Sequence, residues 1–325
     1  MQAHTRTEQG TGTGNRQAGR TVNRERSNPR TSGAVRASRA LRVYASFVRF
    51  SHSVFALPFA LAGMLLALRR LGAYPFLPAG LFWIVVAMVA ARSAAMGFNR
   101  LVDARIDALN PRTAMRELPR GAMTIREAVV FVAIASAIFV FAAWRLNPLC
   151  FALSPVALAI VFWYSLAKRY TTWTQLFLGL SMAVAPVGGW LAAGGRGGWE
   201  PWLLAAAIGT WVGGFDVLYA CQDLEFDRAH DLRSIPVRFG VAASLAISRA
   251  MHTMAVVCLL ALALVAPLGP IYVAGVGAVA AMLVYEQSLV RADDLSQVKR
   301  AFDLNGYVGI LYLVVLTVAL YGPWR

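Results

Sequence analysis

The chain has 325 residues, of which 58% are hydrophobic, a net charge of +15 and a mean hydropathy of +0.57. This composition excludes an ordinary soluble domain and predicts a protein that crosses a membrane several times. Arg and Lys cluster in the N-terminal tail and in alternate loops, which indicates membrane topology and contact with anionic lipid headgroups and excludes nucleic acid as the favoured partner.

Residues 1–42 form a basic tail rich in Arg, Thr, Gly and Ser, without any apolar periodicity. This composition predicts disorder, followed by a membrane domain over 43–325. No apolar segment follows within the reach of a signal peptide, so the tail does not resemble a secretory signal. A solvated cytoplasmic arm is favoured, while a lipid-surface anchor or a start codon further downstream stays open.

Nine apolar spans follow the tail, and each is about 18 to 25 residues long, enough to cross a bilayer as a helix. They are predicted at 46–68, 78–98, 124–144, 148–167, 174–193, 200–221, 247–267, 270–290 and 304–322. The fold class predicted is therefore an all-α membrane protein with nine transmembrane helices.

Counting crossings places the ends of the second, fourth, sixth and eighth spans on the same side as the tail. Basic residues are concentrated in the loops of that side, whereas the opposite side carries only Arg69, Arg70, Arg145, Arg196 and Arg325. This asymmetry predicts a multi-pass protein of the cell (inner) membrane, with its N-terminus in the cytoplasm.

The second span ends in three polar residues, Asn99, Asp103 and Asp107, at positions i, i+4 and i+8. Residues spaced by four share one face of a helix. Carboxylates stacked beside a membrane repel each other and are costly unless a cation lies between them. The pattern therefore predicts a cation site at this helix end.

A second acidic set follows the sixth span, with Asp216, Asp223 and Asp227 and again a spacing of four between the last two. The number of crossings between the sets places both on the cytoplasmic side. A weak duplication of four-helix units, each ending in acidic residues, predicts a pseudo-symmetric bundle with a site at the seam.

Two facing acidic helix ends are suited to Mg²⁺, which prefers oxygen ligands and holds a diphosphate leaving group in the Lewis-acid mode. The predicted catalytic carboxylates are Asp103, Asp107, Asp223 and Asp227, and Asn99 completes the predicted metal ligands. Salt bridges between these acids and the Arg residues of solvated loops are the alternative interpretation. Cys150, Cys221 and Cys258 lie in or beside apolar spans without paired spacing, which predicts neither a disulfide nor a zinc site.

Three basic residues on the same side are candidates for binding diphosphate: Lys168, Arg169 and Arg112. The guanidinium of Arg donates two parallel hydrogen bonds to phosphate oxygens, and the ammonium of Lys binds them as a point charge. For the Lys168 and Arg169 pair, an ordinary topology signal at a helix end is an equally good interpretation.

Three further polar residues are candidates for contact with the substrate. Arg92 lies seven residues before Asn99 and about 10 Å deeper by helical rise, where it binds an acidic substrate group or pairs with an acid of the bundle. Arg49 and His52 lie near the cytoplasmic end of the first span and are candidates for substrate binding. His52 removes a proton or contacts the acceptor, or it serves a structural role at the interface.

Aromatic side chains crowd the same helix ends, where ring faces stabilise a carbocation and exclude water, or simply form an interfacial belt. Tyr219 is favoured as a substrate contact because it lies four residues before Asp223. The remaining candidates for substrate binding are Tyr164, Ser165, Asp216 and Asn99, the last of which is also a predicted metal ligand.

These residues resemble the UbiA superfamily of intramembrane aromatic prenyltransferases, over essentially everything from about residue 45 onward. The resemblance rests on the following stretches: Asn99 to Asp107, Asn110 to Gly121, Tyr164 to Thr171, Asp216 to Asp227, Ser234 to Pro236, Asp294 to Ser296 and Asn305 to Gly306. The subgroup commonly named 4-hydroxybenzoate polyprenyltransferase is the most similar.

The resemblance implies nine helices around a central cavity, capped by loops on the cytoplasmic side. It also implies a Mg²⁺-dependent transferase of the EC 2.5.1 type that moves a polyprenyl chain from its diphosphate to an aromatic acid, in quinone biosynthesis. The acceptor implied is 4-hydroxybenzoate, for ubiquinone, with 1,4-dihydroxy-6-naphthoate, for menaquinone, as the alternative. Membrane lipids are the expected surroundings, and no obligate protein partner is inferred.

The sequence departs from the family pattern at three positions. Arg100 stands where Asp is frequent, Glu117 where many members have Pro, and Asp231 where Gly is usual. These departures leave the identity of the acceptor open.

A membrane transporter of an anionic substrate is the alternative from another class. It predicts ionisable residues through the full depth of the bundle, as a pathway across the membrane requires. Here most of them gather at one face, which favours the enzyme.

Overall fold

A computed structural model of the chain describes residues 43, 47, 56–72 and 78–322. The predicted disordered tail, its boundary near residue 42, Arg49 and His52 lie outside these residues, so the interpretations that concern them stay predictions. The helices are α1 (Leu57–Leu71), α2 (Pro78–Leu109), α3 (Ile125–Leu146), α4 (Pro148–Ala167), α5 (Thr174–Ala192), α6 (Glu200–Ala220), α7 (Leu224–Ala229), α8 (Ile235–Val265), α9 (Gly269–Ser288) and α10 (Val298–Tyr321).

The predicted fold class is confirmed, because the described residues form an all-α bundle of nine long helices and the short α7. Eight of the helical segments are long and apolar enough to cross a membrane. In the described part of the chain α1 has 15 residues, and the span predicted at 46–68 begins outside that part. The chain is a multi-pass integral membrane protein.

Two helices extend well beyond their predicted apolar spans, because their polar ends continue the helix outside the hydrophobic window. α2 reaches Leu109 where the apolar span ended at 98, and so carries the whole first acidic motif. α8 begins at Ile235, before the predicted 247, because Ser234 accepts a hydrogen bond from the Val237 N–H and Pro236 occupies the first turn. Gly240 interrupts α8 with a positive φ of 75°.

Specific caps fix helix ends on both sides of the bundle. Thr124 forms a capping box with Glu127 at the start of α3, which ends the loop that follows α2. Asn147 ends α3 and accepts a hydrogen bond from the Cys150 N–H at the start of α4. α3 and α4 therefore turn back sharply and stay beside α2.

α5 packs very closely against two neighbours through glycines. A Cβ at Gly189 would lie 1.9 Å from the Ala60 carbonyl oxygen of α1, and one at Gly179 would lie 2.1 Å from the Gly209 oxygen of α6. Small residues allow the backbones of membrane helices to approach to van der Waals contact. α1, α5 and α6 thus form the rigid inner wall of the bundle.

An apolar cavity of about 670 Å³ lies against this wall, bounded by residues of the six helices from α1 to α6. Its lining includes Ala60, Met88, Val161, Met182 and Gly209. One cationic side chain, that of Arg92, also borders the cavity. This space is large enough for an isoprenoid chain or a small aromatic molecule.

Candidate active site

The first acidic motif lies along one face of the last turns of α2, as its spacing predicts. Asp103 has a side chain that is only 3% exposed. Asn99 donates from Nδ2 to Asp103 Oδ2 over 3.3 Å. Burial of a carboxylate is costly unless cations and hydrogen bonds compensate it, so the partners of Asp103 decide what this motif can do.

Asp103 is held by the two cations that end α4. Lys168 Nζ lies 2.6 Å from Asp103 Oδ2, and Arg169 Nη2 lies 3.0 Å from Oδ1. Arg169 also donates to the carbonyl oxygen of Val102 over 2.7 Å. The structure therefore brings two predicted diphosphate ligands directly onto a predicted metal ligand.

Asp107 is held from the loop between α2 and α3. Arg116 Nη1 lies 2.8 and 2.7 Å from the two carboxylate oxygens of Asp107. Thr113 Oγ1 donates to the backbone oxygen of Asp107 over 3.1 Å and fixes the loop against the helix end. Sequence reasoning did not select Arg116 as a site residue, because a loop has no periodicity that relates it to Asp107.

The second acidic motif does not lie on one continuous helix, unlike the first. Asp216 and Tyr219 belong to the last turns of α6, a 3₁₀ turn over Cys221–Asp223 follows, and Asp227 lies on α7. The tighter turn changes the direction of the chain, and Asp223 and Asp227 point to the site from a different angle than a straight helix would give.

Arg112 joins the loop after α2 to this second motif. Its Nε donates to Asp223 Oδ1 over 3.0 Å, its Nη2 forms an ion pair with Asp223 Oδ2, and its Nη1 donates to Tyr219 Oη over 2.6 Å. The guanidinium also lies 5.1 Å from the centre of the Tyr219 ring. Burial alone lowers the pKa of Arg112, but Asp223 and Tyr219 outweigh it and raise that pKa above its ordinary value.

The two motifs meet through shared cations. Lys168, which binds Asp103, also interacts electrostatically with Asp227, as does Arg112. The backbone N–H of Arg233 donates to the Lys168 oxygen over 2.8 Å and ties the end of α4 to the segment before α8. Among the described residues, Asp216 and Asp227 form no ion pair of their own.

The remaining candidates lie between the acidic motifs and the cavity. Tyr164 on α4 interacts electrostatically with Asp103 and Asp216 of the acidic motifs and with Arg92, which borders the cavity. It is therefore close both to the acids and to the cavity. Ser165 is buried beside it. Arg92 Nε has no hydrogen-bond partner within the described part of the chain, and its Nη1 lies 4.0 Å from Met182 Sδ.

The donor chemistry of the site fits Mg²⁺ when the ion is shared with a substrate. Across the described residues, no three His, Cys, Asp or Glu side chains are close enough to hold a metal as a protein cage. Mg²⁺ keeps several waters and is usually held by one or two carboxylates together with phosphate oxygens. Carboxylates on two sides of a gap, as here, meet that requirement.

Comparison with known proteins gives consistent matches over most of the chain. A profile of the UbiA prenyltransferase family matches residues 56–318. The 4-hydroxybenzoate octaprenyltransferase of Vibrio vulnificus is 31% identical over 237 residues, which cover 73% of this chain and 83% of that protein. The protein of the same name from Vibrio parahaemolyticus is 32% identical over 244 residues, with the same coverage of 73% and 83%.

Solved structures share the fold. A UbiA homologue from Aeropyrum pernix K1 matches with a TM-score of 0.75 and 38% identity, over 83% of this chain and 98% of that one. A UbiA homologue from Archaeoglobus fulgidus, bound to GPP and Mg²⁺, matches with a TM-score of 0.66 and 18% identity, over 86% and 99%. The second likeness concerns the fold alone.

Proposed function

Because this chain belongs to the UbiA prenyltransferase family, we propose that it transfers a polyprenyl group from its diphosphate to an aromatic acid, with Mg²⁺ as cofactor. The resemblance predicted from the motifs is thereby confirmed, and with it a transferase of the EC 2.5.1 type. One observation carries the proposal: two acidic motifs and their cations meet beside an apolar cavity that Arg92 borders.

Diphosphate binding is assigned to Lys168, Arg169 and Arg112. These side chains are 27%, 27% and 35% exposed, so each can turn from its carboxylate toward phosphate oxygens without first leaving a sealed interior. Arg112 and Arg169 bring forks of donors, which match phosphate geometry, and Lys168 brings a mobile point charge.

Metal binding is assigned to the carboxylates of Asp103, Asp107, Asp223 and Asp227, with the Asn99 amide as an oxygen donor. These groups would hold Mg²⁺, which when bound would supply Lewis-acid neutralisation of the negative charge on the departing diphosphate. A UbiA homologue of the same fold was solved with GPP and Mg²⁺, which supports the use of a divalent cation.

Transfer then proceeds at the boundary between the acids and the cavity. The bond between the prenyl C1 and the diphosphate oxygen breaks, and the oxygen keeps the electron pair. The ring carbon beside the acceptor hydroxyl forms the new bond to C1, and the ring proton leaves to a base. Stabilisation of the allylic cation is assigned to the rings of Tyr219, which packs against Phe302, and Tyr164, which is within electrostatic range of Asp103 and Asp216.

Acceptor binding is assigned to Arg92, whose guanidinium borders the cavity and has an Nε without a hydrogen-bond partner among the described residues. An unused donor in an apolar setting is costly, and a carboxylate of the acceptor satisfies it. Both 4-hydroxybenzoate and 1,4-dihydroxy-6-naphthoate carry such a carboxylate. We infer 4-hydroxybenzoate, because the curated relatives at about 30% identity are 4-hydroxybenzoate octaprenyltransferases.

The deciding experiment supplies both acceptors in parallel to membranes that contain the protein, Mg²⁺ and a polyprenyl diphosphate, with products identified by mass. Prenylated 4-hydroxybenzoate supports the proposal and a role in ubiquinone-type synthesis. Product from the naphthoate alone corrects the acceptor and moves the role to menaquinone synthesis. Product from neither acceptor, with a known prenyltransferase active in the same assay, contradicts the proposal.

A variant at Arg92 tests the acceptor site separately. We expect Arg92→Met to raise KM for the aromatic acid about tenfold or more, because a charge-assisted hydrogen bond is lost, and to leave KM for the polyprenyl diphosphate unchanged. Arg92→Lys, which keeps the charge, serves as the matched control and should lose less. Equal rises in both KM values would contradict the assignment.

We also propose that the site faces the cytoplasm of the cell (inner) membrane. The loops at the site end carry most of the basic residues, including Arg112, Arg116 and Arg120, in agreement with the positive-inside rule. Labelling with a membrane-impermeant maleimide tests this after the native cysteines are replaced. Arg196→Cys should react in intact cells and Arg228→Cys only in inverted vesicles, and the reverse result would overturn the orientation.

A further inference from the structure

Two departures from the family pattern meet in space. Arg100 Nη1 lies 3.0 Å from Glu117 Oε2, and the side chains are only 6% and 5% exposed. Arg100 belongs to α2, and Glu117 belongs to the loop that follows it, 17 residues later. A buried ion pair is rarely retained for net stability, because desolvation of two charges offsets much of their attraction. Its presence is better explained if the pair fixes the position of the loop relative to α2.

Glu117 lies at the base of a loop that closes on itself. Its backbone oxygen accepts hydrogen bonds from the N–H groups of Ala122 and Met123, over 2.9 and 3.2 Å. The neighbouring Leu118 packs with Met123 in a small apolar cluster that also contains Phe47. The side chain of Glu117 therefore attaches a preformed loop to the middle of the polar end of α2, in addition to the contacts that Thr113 and Arg116 make with Asp107.

This loop carries cations to both acidic motifs. Arg112 binds Asp223 and Tyr219, and Arg116 binds Asp107. Asn110, where the loop begins, donates to Asp223 Oδ1 over 3.4 Å and accepts from the Arg112 N–H over 2.9 Å. The position of the loop thus sets the distance between the cations and the acids.

We propose that the Arg100 and Glu117 pair is a positioning device that holds the loop so that Arg112 reaches the diphosphate. The inference rests on the proposed function, since it deepens the role of the same site. Glu117 also pairs with the charge of Arg100, which follows Asn99 directly and so lies beside the predicted metal ligands. The pair therefore acts on diphosphate binding and leaves the acceptor site alone.

The test compares Glu117→Gln with the charge-reversed double variant Arg100→Glu/Glu117→Arg, in full-length protein. Glu117→Gln should raise KM for polyprenyl diphosphate about tenfold at unchanged KM for the aromatic acid, and the double variant should recover most of the loss. If Glu117→Gln does not fold, Glu117→Asp keeps the charge, shortens the reach and should show the same split in a weaker form.

Hydrogen exchange supplies a readout that is independent of activity. Amides of residues 110–123 should exchange faster in Glu117→Gln than in the parent protein, and protection should return in the double variant. Unchanged exchange in Glu117→Gln would overturn the proposal. If the parent protein prenylates neither acceptor, the proposed function fails, while the exchange result still decides whether the pair holds the loop.

The pair of Arg70 and Glu200 at the opposite end of the bundle is the matched control. Its Nη1 to Oε1 distance is 2.5 Å, and Glu200 is nearly as buried as Glu117, with 7% of its side chain exposed. Glu200→Gln should leave KM for the diphosphate within about twofold of the parent value. A tenfold rise there would show a general effect of breaking ion pairs and would overturn the specific role.

Discussion

The two acidic motifs look alike in sequence and differ in structure. The first lies on the unbroken helix α2, and both of its carboxylates are bound by cations, Asp103 by Lys168 and Arg169 and Asp107 by Arg116. The second is divided by a 3₁₀ turn. In the second, Asp223 alone has an ion-pair partner among the described residues, and its side chain is 18% exposed.

Because of this difference, the two motifs contribute differently to binding of the diphosphate and of the metal. The first motif is neutralised by its own chain, so its acids also maintain the structure of the helix end and the loop. The second carries carboxylates with less compensation, and is therefore the stronger attractor for an incoming divalent cation. We infer that the first motif mainly positions the cations that receive the diphosphate, and that the second mainly attracts the metal.

The largest expected effect is the loss of transfer when either motif loses one carboxylate. Asp103→Asn and Asp223→Asn should each lower kcat by about 1,000-fold or more, because removal of a preorganised charge at the leaving group raises the barrier by several kcal/mol. Product formation by mass measures the loss, with the exposed Asp293→Asn as control. Full activity in both variants would contradict the metal site.

A smaller expected effect, on the stability of the folded protein, distinguishes the structural roles of the two motifs. Asp107→Asn should destabilise the folded protein by about 1–2 kcal/mol, because Arg116 is left half-buried without its carboxylate. Asp227→Asn should cost less stability, because Asp227 has no ion pair among the described residues and loses only longer-range attraction to Lys168 and Arg112. Thermal unfolding in detergent measures both variants. Equal losses would remove the distinction between the motifs.

Sequence reasoning predicted the first motif well and the second only partly, for a physical reason. The spacing of Asn99, Asp103 and Asp107 fits an α-helix, and α2 is one over its whole length. Between Asp216 and Asp227 the chain passes through a 3₁₀ turn, for which the periodicity of a helix carries no signal. A spacing of i and i+4 predicts that two side chains share one face only when the helix between them is continuous.

Loop contacts were the other part that spacing did not reveal. Arg116 and Glu117 are adjacent in sequence, yet one binds Asp107 and the other Arg100. Both partners are on α2, and the closing hydrogen bonds of the loop decide which side chain meets which. The nine spans, in contrast, were predicted from hydrophobicity alone, because a membrane helix needs a long apolar segment, and eight of the described helical segments are long and apolar enough to cross a membrane.

The smallest expected effect concerns the segment that follows the second motif. Asp231 has a φ of 53°, and among the described residues it is the one non-glycine with a positive φ. Glycine is usual at this position in the family that the motifs resemble, and it adopts such a φ without the steric cost of a Cβ.

Asp231→Gly should stabilise the protein by about 0.5 kcal/mol. The substitution removes the steric cost of the Cβ, about 1–2 kcal/mol, and adds the greater chain entropy that glycine loses on folding, about 0.5–1 kcal/mol. Thermal unfolding measures the gain, and Asp231→Ala, which keeps the Cβ, should show none. A gain of the same size in both variants would place the cost in the charge of Asp231 and not in its backbone.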